Sequence, residues 1–122
     1  MKVYNLTTKQ FLQISISEAW DFFSSPRNLK DITPAHMKFD IKYLSGGEKM
    51  YADQLIKYKL QPVPGIPVSL TTEITHMNEP AFFVDEQRFG FYALWHHQHH
   101  FKEIDGGVEM LDKVNYASPW VF

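Results

Sequence analysis

The stretch WHHQHHFKEIDGGVEMLDKVNY, Trp95 to Tyr116, decides how the rest of the chain is read. Two runs of alternating apolar and polar side chains flank Asp105, Gly106 and Gly107. That is the pattern of two antiparallel strands joined by a tight turn. A two-residue loop at Gly106-Gly107 sets Asp105 against Val108. It places Phe101 opposite Asp112, His99 opposite Val114 and His97 opposite Tyr116. One face of the hairpin then carries Trp95, His97, His99, Phe101, Met110, Asp112, Val114 and Tyr116. The other carries His96, Gln98, His100, Lys102, Glu109, Leu111, Lys113 and Asn115. A one-residue slip would mix the two sets, so the apolar pattern itself specifies the faces. The first set is mostly apolar and is expected to turn inward, taking two histidines and an aspartate with it. Buried polar groups cost free energy unless they are paired. A site is therefore expected on this face.

Upstream of the hairpin the same alternation recurs. Val3 to Leu12 reads as a first strand. Ser15 and Glu18 form a capping box, which starts a helix carrying Ala19, Trp20 and Phe23 on one stripe. Pro26 ends that helix and opens a second short one, with Leu29 and Ile32 on its covered face, which stops before Pro34. Met37, Phe39, Ile41 and Tyr43 then alternate with Lys38, Asp40 and Lys42, a half-exposed strand. Gly46-Gly47 is a turn, and Tyr51 to Leu60 the next strand. Gln61 to Pro67 holds three prolines and is expected to be a rim loop, because proline removes ladder donors. Val68 to Met77 and Phe82 to Phe89 are further strands. The order is one strand, two short helices and about six strands joined by short turns, an antiparallel meander in the α+β class.

The chain has 122 residues, enough for one domain and not for two. Hydrophobic residues make up 44% and charged residues 21%, the balance of an ordinary globular domain. A formal net charge of -2 gives no electrostatic case for nucleic acid or an anionic membrane. With no cysteine, disulfides and thiolate catalysis are excluded. No apolar run is long enough to span a bilayer, and the opening residues lack a signal-peptide core. A cytoplasmic setting is expected. Aromatic content is high at 16%, enough to fill a core and also to line a pocket for a flat or apolar molecule. There is no phosphate-binding glycine loop and no serine nucleophile elbow.

Three segments carry a family resemblance: SEAWDFFSSPRNLKDITP (17–34), TTEITHMNEPAFFVDEQRFG (71–90), and LWHHQHHFKEIDGG followed by MLDKVNYASP (94–119). With these the chain resembles the START-like, or SRPBCC, superfamily, and within it the bacterial ligand-binding SRPBCC domain proteins. The superfamily shares its helix-grip fold with the polyketide cyclases. The resemblance implies a single ligand-binding domain over 1–122, a curved antiparallel sheet of six or seven strands, and two short helices after the first strand. It also implies a long C-terminal helix across the concave face, yet the sequence ends at Phe122, where that helix would be due. The concave face is therefore expected to be covered by a second copy of the chain in a homodimer, by a swapped segment, or by residues beyond Phe122. The implied function is binding of a small hydrophobic or amphipathic molecule, a lipid or polyketide-like metabolite, in a cavity between sheet and helices. Two alternatives stand beside it. One is an enzyme of cyclase or dehydratase type using His97 or His99 with a carboxylate. The other is a protein-interaction module acting through the concave face.

Candidate residues follow from both lines of reading. For acid–base work they are His97, His99, Asp112 and Glu73, since a carboxylate on a neighbouring strand can orient an imidazole. The plainer reading of the same groups is a cross-strand ladder of hydrogen bonds. For ligand binding they are Trp95, His97, His99, Phe101, Asp112 and Tyr116 on the inward face, joined by Gln87, Phe91 and Tyr92 at the rim. The strand 83–89 is polar on both parities, so the inward set among Asp85, Glu86, Gln87 and Arg88 stays open. His97-x-His99 has the spacing of a metal-binding pair, with Asp112 or Glu73 as a third donor. No closed ligand set is evident, and no cofactor or tightly held metal is expected.

Overall fold

A computed structural model describes residues 2–32 and 38–117. Strand β1 (Tyr4–Leu12) is followed by helix α1 (Ile16–Phe23), a 3-10 turn (Pro26–Asn28) and the short helix α2 (Leu29–Ile32). Six strands complete the order: β2 (Asp40–Leu44), β3 (Leu55–Val63), β4 (Ile66–Asn78), β5 (Phe82–Phe89), β6 (Leu94–Ile104) and β7 (Gly107–Ala117). They form one seven-stranded antiparallel sheet ordered β1-β7-β6-β5-β4-β3-β2. The meander from β2 to β7 runs strand to neighbouring strand, and β1 closes it by pairing with β7. No long C-terminal helix occurs among the described residues. The expected position of Met37 lies outside them, as does the segment 118–122. No helix among them is long and apolar enough to cross a membrane.

Local chemistry explains α1 and its seat on the sheet. The Glu18 amide donates to Ser15 Oγ (3.1 Å), and the Ser15 amide donates back to Glu18 Oε1 (3.4 Å), so the capping box forms as read. The helix ends where the Ser24 amide reaches the Trp20 carbonyl (2.8 Å), just ahead of Pro26. Its inward residues, Ala19 and Trp20, are buried. The Trp20 ring stands edge-on to Phe83 (5.9 Å) and Phe101 (5.6 Å), an arrangement favoured by the aromatic quadrupole. Its indole N–H donates to Glu79 Oε1 at 2.7 Å. Trp20 thus pins the helices over the β5–β7 end of the concave face. Ile56, Leu70 and Ile74 belong to the same buried core cluster as Trp20.

Four local expectations are corrected. The hairpin loop is Asp105-Gly106, not Gly106-Gly107: Ile104 pairs with Gly107 and Phe101 with Met110. Gly106 takes the positive φ of +82° that such a turn needs. The strands are displaced by two residues from the expected register, an even step, so every side chain keeps its expected face. Gln61 to Pro67 is not a rim loop. β3 and β4 run into it and turn at Pro64-Gly65, where Gly65 has φ +83°. A register shift between Leu60 and Val63 leaves Pro62 and Pro67 out of the paired positions, which is how a sheet tolerates proline. β3 starts at Leu55 rather than Tyr51, because the Gln54 amide folds back on the Tyr51 carbonyl (3.1 Å). Finally, a bulge between Ile41 and Tyr43 breaks the alternation in β2, so Tyr43 is exposed while Leu44 joins the core.

Candidate ligand site

Strand alternation sends Trp95, His97 and His99 of β6 to one face at two-residue steps. The neighbouring strands bring a carboxylate from each side. On β5, Asp85 pairs with His97 and Phe83 with His99. On β7, Asp112 pairs with His99. The result is a buried row of charge: His99 Nε2 lies 2.8 Å from Asp85 Oδ2, and His99 Nδ1 lies 3.1 Å from Asp112 Oδ1. Both ring nitrogens of His99 are thus engaged by carboxylates. The His97 ring stacks on that of His99 (3.7 Å), which in turn stacks on Phe83 (4.2 Å). His97 Nε2 comes within 3.6 Å of Asp112, close enough for charge attraction and too far for a hydrogen bond. That nitrogen is buried without a hydrogen-bond partner.

The electrostatics follow from this geometry. Burial by itself would lower the pKa of His99. The hydrogen bonds that Asp112 and Asp85 accept outweigh it and raise the imidazole to about 9, which favours the imidazolium at neutral pH. Burial pushes Asp85 up, but the His99 hydrogen bond and the charges of both histidines bring it below its ordinary value. Asp112 is likewise pushed up by burial, and His97 and His99 more than reverse that, leaving it well below the usual range.

Asp85, His97 and His99 line part of a cavity of about 270 Å³. Its other walls are apolar: Met50, Ile56, Leu60, Leu70 and Ile74 from the sheet and its turns, and Leu29 from α2. Phe39, Tyr58, Phe83, Tyr92 and Trp95 add aromatic surface. Tyr58 is buried, and that burial raises its hydroxyl far above the ordinary tyrosine value, so it remains a neutral hydrogen-bonding group. The arrangement offers apolar surface to a small molecule and a cluster of imidazole and carboxylate to its polar end. With His99 tied on both nitrogens, His97 is the imidazole with a nitrogen free for proton transfer.

Of the residues read from the sequence, Trp95, His97, His99 and Tyr92 line the cavity. Asp112 stands behind His99 and orients it. Tyr116 packs on Trp95 and Tyr92 (6.2 Å each) and backs the wall. Phe101 is in the core against Trp20 rather than in the cavity. Phe91 packs on Tyr92. Gln87 braces the rim loop, accepting from the Tyr92 amide (3.1 Å) and donating to the Tyr92 carbonyl. Glu73 is not with the histidines: it binds Arg88 (2.9 Å) on the opposite sheet face. His96 and His100 also belong to that opposite face, where His96 meets Glu86 (3.0 Å) and His100 meets Gln98 (2.9 Å). Asp85, whose face the sequence left open, is the carboxylate that joins His97 and His99 in the lining. The walls contributed by Tyr58, Met50 and Leu70 were not singled out.

No family profile matches the chain, and no curated protein matches it. Solved structures do. Ginseng major latex-like protein 151 from Panax ginseng superposes with a TM-score of 0.72 at 14% identity, over 97% of this chain and 81% of that one. Truncated norcoclaurine synthase from Thalictrum flavum gives 0.72 at 10% identity, over 97% and 78%. Protein Ms6760 from Mycobacterium smegmatis gives 0.70 at 19% identity, over 97% and 79%. The fold these structures share with this chain is the helix-grip fold.

Proposed function

We propose that this chain binds a small hydrophobic or amphipathic molecule in the cavity between sheet and helices, apolar body against Ile56, Leu70 and Trp95, polar end toward His97. One observation carries the reading: an apolar, aromatic-walled cavity with Asp85, His97 and His99 among its lining residues. Pockets for organic ligands have this composition, mostly apolar with a few convergent polar groups that fix orientation. The volume suits a ligand of modest size or part of a longer one. The polar cluster favours a ligand with a hydrogen-bonding head over a plain hydrocarbon, since an apolar atom set against it would leave buried polar atoms unpaired. The proposal includes a cytoplasmic site of action.

Titration of an environment-sensitive apolar fluorophore tests the reading. Saturable binding with one site per chain is expected, weakened at least ~10-fold by Trp95→Ala, which corresponds to about 1.4 kcal/mol. Native mass spectrometry of protein purified without denaturation should also carry a bound small molecule. Absence of saturable fluorophore binding by well-folded wild type would refute the proposal.

A further inference from the structure

We propose that Asp85, His97 and His99 form a site for one divalent transition-metal ion, with Asp112 orienting His99 from behind. The donor atoms of the three residues lie within 4.8 Å of one another. An ion ~2.1 Å from each donor needs them roughly 3.0–3.4 Å apart, so the set closes by side-chain rotations of about an ångström. Two imidazoles and one carboxylate suit zinc, iron, cobalt or nickel, and three protein donors leave a position open toward the cavity. The inference stands whether or not an apolar molecule enters that cavity.

Two further observations point the same way. First, His97 Nε2 is buried with no hydrogen-bond partner, an arrangement that costs free energy unless something binds the lone pair. Second, the hydrogen-bond pattern around His99 is that of a metal-binding histidine. Its Nδ1 faces Asp112 at 3.1 Å, which fixes the ring and the tautomer, while its Nε2 points at Asp85 Oδ2 across 2.8 Å. An ion held by both atoms would take the place of the hydrogen bond in that second gap.

The expectation of no metal rested on two imidazoles without a closed ligand set, Asp112 or Glu73 being the third donors weighed. Glu73 is on the opposite face, and Asp112 serves His99 from behind. Asp85 is the third donor, and the alternation of β5 brings it to the same side as Phe83.

The test uses the full chain, stripped with a chelator and titrated with zinc and, for its visible absorption, cobalt. One equivalent should bind, with cobalt bands that mark mixed nitrogen and oxygen donors. His97→Gln should weaken binding by ~100-fold or more, and Asp112→Asn by roughly 10–100-fold, the usual effect of losing a group that orients a ligand. The double variant His96→Gln/His100→Gln, on the opposite face, should bind as wild type does. Asp85→Asn is also expected to lose the ion. If it fails to fold by circular dichroism, His97→Gln decides, its own fold checked in the same way. Zinc and cobalt binding that does not saturate at one equivalent, or that is unchanged in His97→Gln, would overturn the proposal. So would binding that is lost in the double variant on the opposite face.

Discussion

At the scale of single residues, His99 sets how stability responds to pH in the metal-free protein. Its folded pKa of about 9 is above the unfolded value, so folding favours the protonated ring. That contribution is fully present below the unfolded pKa of ~6.5 and is lost as pH rises toward 9. Asp85 and Asp112 have depressed values, so their contribution is present above the unfolded pKa of ~3.9 and disappears as pH falls further. Stability in a chelating buffer should therefore peak between roughly pH 4.5 and 6.5 and decline toward pH 9 by on the order of 2 kcal/mol. Thermal melts across pH check this. His99→Gln should lower the maximum and flatten the alkaline limb, and an alkaline limb as steep as that of the wild type in this variant would show another group responsible. This residue was legible as an inward, polar side chain in an apolar row. Its partner Asp85 was not. Asp85 and Gln87 compete with Glu86 and Arg88 for the inward parity, and both pairs are polar. Only the pairing with β4 and β6 decides between them, sending Glu86 to His96 and Arg88 to Glu73 on the opposite face.

At the scale of elements, the hairpin shows what a pattern can and cannot specify. Alternation distinguishes the two faces of a strand, and so the inward set was readable. It is blind to a slip of two residues, which is the displacement found here. Turn chemistry carries that information, and Asp105-Gly106 is the better turn because only the second residue is followed by a glycine with another duty. That duty is close packing. A Cβ on Gly107 would stand 2.1 Å from the Leu12 carbonyl oxygen and 3.2 Å from Gln13 Cα, both backbone atoms at the end of β1. Gly107→Ala should destabilise by about 1–3 kcal/mol or more, as overpacking does. Gly47→Ala, where a Cβ meets nothing within 4 Å, should change stability by no more than about 0.5 kcal/mol. Denaturant midpoints of the two variants make the comparison, and equal midpoints would mean that β1 does not seat against the hairpin turn. The helix start is a third case, legible because its chemistry is local: Ser15→Ala should cost about 1 kcal/mol through loss of the cap. The proline segment was misread for the opposite reason, since a register shift several residues away creates the unpaired positions that admit Pro62 and Pro67.

At the scale of the molecule, the aromatic excess divides between two tasks that composition alone could not separate. Trp20, with Phe83 and Phe101, fastens the helices to one end of the sheet and is 2% exposed. Trp95, with Tyr92 and Tyr116, is only partly buried and walls the cavity toward the other end. Substituting each should therefore fail differently. Trp20→Ala removes a fully packed ring and is expected to cost about 3–5 kcal/mol, a large share of the ~5–15 kcal/mol that holds a domain together. Trp95→Ala leaves a gap already open to the cavity, and its cost in stability should be smaller. A molecule that binds only the folded chain adds stability by mass action, about 2.7 kcal/mol at a hundred times its dissociation constant. Saturating apolar fluorophore should then restore much of the stability lost in Trp20→Ala, because Trp20 is not itself a cavity-lining residue. The same fluorophore should restore little in Trp95→Ala, because the missing ring is part of the wall. Thermal melts of both variants with and without fluorophore give the four numbers needed. Equal rescue of the two would place the fluorophore away from Trp95, and rescue of neither would mean that Trp20 shapes the cavity as well as the core. Unequal rescue in the stated direction would establish that one sheet carries a packed end, which keeps the fold, and an open end, which is free to bind.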